Sequence, residues 1–172
     1  MKVIFSHGKE SGPWGSKISH LAEIARQHEY EVDSVDYQGI SDPDDRVTHL
    51  IKALENESKA ILVGSSMGGY VSLIAAEQVQ VEAIFLLAPA LYIPGYDNQE
   101  YTAHNQSIEI VHGWSDDIIP PEHSIRFARK ANCSLHLIPG DHRLNSSIEA
   151  VSVLFNQFLH TTVKKPYSHR LK

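Results

Sequence analysis

The amino-acid sequence predicts an α/β protein built on one six-stranded, mostly parallel sheet with helices on both faces. Three observations carry that expectation. Short apolar runs rich in Val, Ile, Leu and Phe alternate with amphipathic stretches of helix length along the whole chain, the pattern of right-handed βαβ units. Most of these runs, such as Ala60-Ile61-Leu62-Val63, lack polar alternation, as strands covered on both faces require. The chain has 172 residues and a formal charge of −6, enough for one full hydrophobic core and too little for two ordinary domains.

The elements follow in order. Strand 2–6 opens the chain, and helix 15–28 presents Leu21, Ile24 and Ala25 at helical spacing. Strand 31–36 precedes helix 43–56, which repeats Val47, Leu50, Ile51 and Leu54 and begins at Asp42-Pro43, with proline in the first turn. Strand 60–64 runs straight into helix 66–79, and strand 83–87 follows. Residues 92–107 then form an irregular stretch with Pro94, Gly95 and the tyrosines Tyr92, Tyr96 and Tyr101. At about sixteen residues it exceeds a usual connection and is expected to border a site, yet it is too short for a folded cap. Strand 108–112, helix 121–131 after Pro120, strand 134–138 and helix 147–160 complete a single domain over 1–160. Val151, Leu154, Phe155 and Phe158 mark the buried stripe of the last helix. Residues 161–172 carry Lys164, Lys165, Arg170 and Lys172 without an acid, and read as a flexible basic tail.

Composition excludes several classes of function. A net negative chain with no basic patch in its first 160 residues argues against nucleic-acid binding. The one cysteine, Cys133, cannot form an internal disulfide, and no Cys/His cluster has zinc spacing. A reducing, cytoplasmic setting is expected. Val3-Ile4-Phe5 is too short an apolar run for a signal peptide, and no run approaches the roughly eighteen residues of a membrane span.

Open α/β sheets bind ligands beyond the carboxyl ends of their strands. There the third strand enters Gly64-Ser65-Ser66-Met67-Gly68-Gly69 and then a helix. This is G-x-S-x-G in its strand–turn–helix setting, with Ser66 as candidate nucleophile on a strained turn. Gly64 and Gly68 suit a close approach of strand and helix. The helix start aims free N–H groups and the positive dipole end at the same spot. A serine hydroxyl needs a base and an orienting carboxylate. On the same rim lie Asp116 and Asp117 after the fifth strand, and His142 after the sixth. His142 is the candidate base; His123, His136 and His160 sit in or beside regular elements. Two N–H donors for an oxyanion are assigned to Met67, after the nucleophile, and Lys9, in the loop Ser6-His7-Gly8-Lys9 after the first strand. His7 precedes the serine and reads as a buried ring bonded to loop backbone. Trp14, Tyr92 and Tyr96 are expected to border the substrate.

These residues resemble those of the α/β-hydrolase superfamily, and the chain is similar to small, cap-less bacterial esterases of the YqiA type. The matching segments are Ser6-His7-Gly8, Gly64-Ser65-Ser66-Met67-Gly68-Gly69-Tyr70, His112-Gly113-x-x-Asp116 running to Pro120, and Gly140-Asp141-His142-Arg143. Together they span nearly all of residues 1–160. The resemblance implies strand order 2-1-3-4-5-6 and assigns the carboxylate to Asp116, with Asp117 as the alternative. It implies a serine carboxylesterase with a Ser-Asp-His triad and no metal or organic cofactor. A thioesterase or amidase in the same site, or a non-catalytic hydrolase-like binding protein, are the alternatives. An uncapped site suits a small-molecule or carrier-bound acyl ester. Similar architectures demethylate pimeloyl-acyl-carrier protein in biotin synthesis, and the cationic tail is suited to docking an acidic acyl carrier protein. No nucleic-acid or membrane partner is expected.

Overall fold

The strands and helices are set by where the chain can bury apolar surface twice. In a computed structural model, which describes residues 1–102 and 107–163, the elements are β1 (Lys2–Ser6), α1 (Ser16–Gln27), β2 (Glu31–Val35), α2 (Pro43–Leu54), β3 (Ala60–Ser65) and α3 (Met67–Gln78), followed by β4 (Ala83–Leu87), β5 (Ser107–Gly113), α4 (Pro121–Ala131), β6 (Ser134–Ile138) and α5 (Ile148–Val163). A short 3-10 turn, Asn145–Ser147, leads into α5. The strand order is β2-β1-β3-β4-β5-β6. All five pairings are parallel, so the sheet has no antiparallel member.

The continuous apolar runs resolve into two faces. Ile4, Leu62, Ile84, Leu86 and Ile110 point to one side, with buried residues of α2, α3 and α4. Val3, Phe5, Ile61, Val63, Phe85, Leu87 and Val111 point to the other, with α1 and α5. Phe85 packs its ring 5.1 Å from both Phe155 and Phe158 of α5. Central strands therefore lose the polar alternation of a half-exposed strand, since both faces are dry. α2 starts where Asp42 accepts hydrogen bonds from the N–H groups of Asp44 and Asp45, at 2.8 and 2.9 Å, with Pro43 at its first position. This satisfies two N–H groups that have no partner within the helix.

Two details differ from the sequence reading. α3 starts at Met67, because Ser66 holds φ 54° and ψ −119°, outside any helix. α5 runs on to Val163, past the boundary placed at residue 160. The tail residues 164–172 lie outside the described residues. No helix fills residues 88–102, and among the described residues no helix is inserted over the carboxyl ends of the strands.

The register sets Ser6 beside Gly64 and Gly64 beside Leu86, which brings the ends of β1, β3 and β4 together. α3 then leaves β3 so tightly that a Cβ on Gly64 would lie 2.3 Å from the Gly68 carbonyl oxygen. One on Gly68 would lie 2.0 Å from the Ser6 oxygen, and one on Gly69 2.7 Å from Cβ of Pro89. Gly39, at φ 85°, has open space around it instead. Gly68→Ala is therefore expected to cost about 3 kcal/mol or more through overpacking against backbone. Gly39→Ala should cost only the roughly 1–2 kcal/mol of a left-handed conformation. Urea denaturation of the two variants checks this ordering; equal losses would mean that α3 can move off β1.

Candidate active site

Each candidate side chain is delivered by the end of a different strand. Ser66 stands at the turn between β3 and α3. Its N–H donates to the Leu87 carbonyl (3.0 Å), and its own carbonyl accepts from Ala90 N–H (2.9 Å). The turn is thus stitched to the segment after β4, and these bonds hold a conformation that costs a non-glycine residue about 1–3 kcal/mol. Met67 begins α3, so its N–H has no carbonyl to bond within the helix.

Asp116 follows β5 with its side chain fully buried. Its Oδ1 accepts the N–H groups of Ile118 and Ile119 at 2.9 and 2.8 Å. Its Oδ2 accepts from His142 Nδ1 at 2.7 Å and from His112 Nε2 at 2.9 Å. Burial disfavours its ionised form, but the hydrogen bonds from His142, Ile119 and Ile118 outweigh this and hold the carboxyl below its ordinary value. His142 follows β6, and its Nε2 lies 3.0 Å from Ser66 Oγ. With Nδ1–H donating to Asp116, Nε2 is left to accept the serine proton. The two loops are fastened together: Trp114 N–H donates to Ile138 O and Ser115 N–H to Gly140 O, both at 2.9 Å. A Cβ on Gly113 would lie 2.3 Å from that Gly140 oxygen.

These side chains open into a cleft of about 630 Å³ lined by Gly8, Lys9, Ser66, Met67, Tyr96 and His142, among others. Asp117 also lines it, exposed and one residue beyond the carboxylate that meets His142. Of the three aromatic residues expected at the border, Tyr96 is in place, 4.7 Å from the Tyr70 ring. The other two are corrected. Trp14 turns outward, 46% exposed, with the Arg26 guanidinium 5.9 Å from its ring centre. Tyr92, at φ 57°, turns toward α4, where Arg126 lies 3.9 Å over its ring and His123 6.0 Å away. Neither lines the cleft.

Three residues near the site were given no role in the sequence reading. His112, fully buried, offers Nε2–H to Asp116 and to the Ile119 carbonyl (3.0 Å), and Nδ1 accepts from Ser124 Oγ (2.7 Å). Its place at the head of the His112-Gly113-x-x-Asp116 segment is the hint the sequence holds. Lys17 of α1 donates to the Arg143 carbonyl at 2.9 Å, and burial draws its ammonium down to about 8. Arg46 of α2 is buried and donates to the carbonyls of Ile40 and Gly8, at 2.6 and 3.2 Å. His7 lies where the sequence reading put it: Nδ1–H donates to the Gly8 carbonyl (2.8 Å) and Nε2 accepts Tyr37 N–H (2.9 Å). Among the described residues no three His, Cys, Asp or Glu side chains are grouped to hold a metal ion, and no helix is long and apolar enough to cross a membrane.

Residues 2–147 match the model of an uncharacterised protein family, UPF0227. The chain belongs to this family. No curated protein sequence matches it significantly. Among solved structures it is similar to an alpha/beta-superfamily protein from Xanthomonas campestris pv. campestris, at 29% identity and TM-score 0.86, over 93% of this chain and 98% of that one. It is also similar to Est1E from Butyrivibrio proteoclasticus, at 20% identity and TM-score 0.77, over 95% and 88%. Alpha/beta hydrolase domain-containing protein 10 from mouse shares 18% identity and a TM-score of 0.74, over 93% and 90%. This UPF0227 member is thus a small α/β-hydrolase-superfamily protein, and the likeness extends over almost its whole described length.

Burial lowers the pKa of both His112 and His7 below 6.5, so each is held neutral. The unfolded chain takes up protons at these rings below 6.5, whereas the folded chain does so only at lower pH. Stability is therefore expected to fall as pH drops from about 6.5, by up to about 1.4 kcal/mol per pH unit for each ring. Asp116 acts in the same sense further down, because stability present above its ordinary 3.8 is lost as pH falls through its lower folded value. His112→Gln should flatten the limb between about pH 6.5 and pH 5 in urea titrations. An unchanged slope would mean that His112 is charged in the folded protein.

Proposed function

We propose that the chain is a serine hydrolase that cleaves carboxylic esters through an acyl-enzyme. One observation carries this reading: the unbroken run from Ser66 Oγ to His142 Nε2 (3.0 Å) and from His142 Nδ1 to Asp116 Oδ2 (2.7 Å), opening on the cleft. The serine oxygen attacks the ester carbonyl carbon while its proton passes to His142 Nε2. The carbonyl oxygen becomes an oxyanion facing the N–H groups of Met67 and Lys9. On collapse the C–O bond to the alcohol breaks, and the alcohol leaves with the proton from His142. Water then repeats the sequence on the acyl-enzyme and releases the acid, so His142 serves as base and acid in turn. Asp116 stays ionised throughout, which its lowered pKa favours, and it stabilises the transient imidazolium. Est1E, which shares the fold, is known with ferulic acid bound, and a carboxylic acid is the product class this reading requires.

The substrate side of the proposal is an acyl ester presented on a carrier. No helix caps the cleft among the described residues, so an acyl chain held as a thioester on a phosphopantetheine arm can enter without a lid moving. The methyl ester of a pimeloyl group on an acidic carrier protein, as in biotin synthesis, fits this description, and the tail cations would assist its docking.

Ser66→Ala is expected to lower turnover of p-nitrophenyl esters by more than about 10⁴-fold, and a fluorophosphonate probe should label the native protein at Ser66 alone. Asp116→Asn should cost on the order of 10³-fold through loss of the imidazole's partner and tautomer, and Asp117→Asn less than about tenfold. Full turnover by Ser66→Ala would end the serine mechanism; reversed effects at the two acids would move the carboxylate to Asp117. For the carrier substrate, a chain ending at residue 163 should lose kcat/KM at low salt and not at high salt, because exposed charges are screened within about 10 Å at 0.1 M. The same salt profile for full-length and shortened chains on an acyl-carrier methyl ester would remove the tail from the mechanism.

A further inference from the structure

Arg46 is a buried cation without an anionic partner. Its residue is 3% exposed, and among the described residues no carboxylate lies within ion-pair distance of it. Burying such a charge is costly. All its hydrogen bonds go to backbone carbonyls: Nε donates to Ile40 (2.6 Å), and Nη1 to Gly8 (3.2 Å) and His7 (3.5 Å). Its guanidinium lies 5.3 Å from the Tyr37 ring centre, which fixes the plane from which it donates.

The Gly8 carbonyl thus receives two donors, Arg46 Nη1 and His7 Nδ1. That carbonyl belongs to the same peptide unit as the Lys9 N–H. No peptide bond in the chain is cis, and in a planar trans unit C=O and N–H point in opposite directions. The carbonyl's two donors, His7 and Arg46, line a second hollow, of about 440 Å³, together with Gln38 and Ile40. Gly8 itself lines the main cleft with Ser66 and Met67, and Lys9 lines both hollows. Gly8 comes so near the nucleophile that its Cβ would sit 3.4 Å from Ser66 Cβ. Glycine also imposes little preference on the adjoining peptide. A flipped unit would present a carbonyl oxygen to the developing oxyanion, so something outside the loop has to hold it.

We propose that Arg46 is a positioning residue for the oxyanion-binding N–H of Lys9: by gripping the Gly8 carbonyl it turns that N–H into the cleft, and its charge polarises the peptide toward donation. This rests on the serine-esterase reading above. The cost of the buried charge then has a counterpart in catalysis, since a preorganised donor matters most where negative charge develops.

The test compares native protein, Arg46→Lys, Arg46→Met and Ser66→Ala on a p-nitrophenyl ester and on a boronic acid that forms a tetrahedral adduct with serine. Arg46→Met should lose kcat roughly 10- to 100-fold with KM nearly unchanged, and boronate affinity should fall by the same factor. Arg46→Lys, which keeps the charge, should fall between it and the native protein. A purely structural role would lower the folded fraction without changing boronate affinity per folded site. In native protein, which needs no variant to fold, the Lys9 amide proton should shift downfield when the boronate binds. An unmoved Lys9 resonance, or native kcat and boronate affinity in folded Arg46→Met, would overturn the proposal while leaving Ser66 in place. Full activity in Ser66→Ala would overturn the serine reading itself.

Discussion

The site depends on one steric constraint: α3 meets the ends of β3 and β1 closer than any side chain at Gly64 or Gly68 permits. That contact forces the connecting residue into a left-handed conformation, and the residue there is Ser66. Neighbouring parts are arranged around it. Leu87 and Ala90 bond its backbone from one side, and Gly8 leaves room for it on the other. The hydroxyl is exposed because the backbone has no other way to turn, so the exposure is a property of the fold more than of the serine. The same approach puts the first turn of α3, with its unbonded N–H groups, next to the reacting oxygen.

Around Asp116 the governing problem is a charge without water. A carboxylate with a fully buried side chain is tolerated because both oxygens are saturated: two backbone N–H groups on one, two imidazoles on the other. His112 is a proton donor fixed from behind by Ser124. Its contact leaves Oδ2 shared between a ring that never changes partner and a ring, that of His142, able to respond to the serine. Arg46 is the converse case, a buried cation that spends its donors on carbonyls. Both charges keep loops in one arrangement, and both depend on residues distant in the chain.

Much of the fold was legible because dry, parallel strands leave an unmistakable mark. Strands 2–6, 83–87 and 134–138 coincide with β1, β4 and β6, and the other three agree to within a residue at either end. The turn at Ser66 was legible because its glycines report a close backbone approach that local sequence alone demands. Legibility failed where a side chain's direction depends on a loop. Trp14 and Tyr92 flank the cleft in sequence, but an outward turn and a left-handed backbone carry them elsewhere. His112, Lys17 and Arg46 were given no role for a related reason: their partners are chiefly carbonyls or residues of other segments, and a carbonyl has no sequence signature. Burial of a polar group is a tertiary event, so periodicity cannot foretell it.

The cleft draws on the ends of β1, β3, β5 and β6, and each neighbouring pair of strands is parallel. Parallel neighbours cannot form by a local hairpin; each requires a crossover to close before its hydrogen bonds can form. A chain that has docked only β1 to β4 would possess the Ser66 turn, yet would lack both the carboxylate and the imidazole. On the proposed serine-hydrolase reading, such an intermediate could not attack an ester. On that reading competence arrives with the last two strands to be made during synthesis, and a nascent chain passes through its most exposed stage chemically silent. Recovery of a Ser66-directed label during refolding would time the completion of the sheet's far edge, not the collapse of its centre.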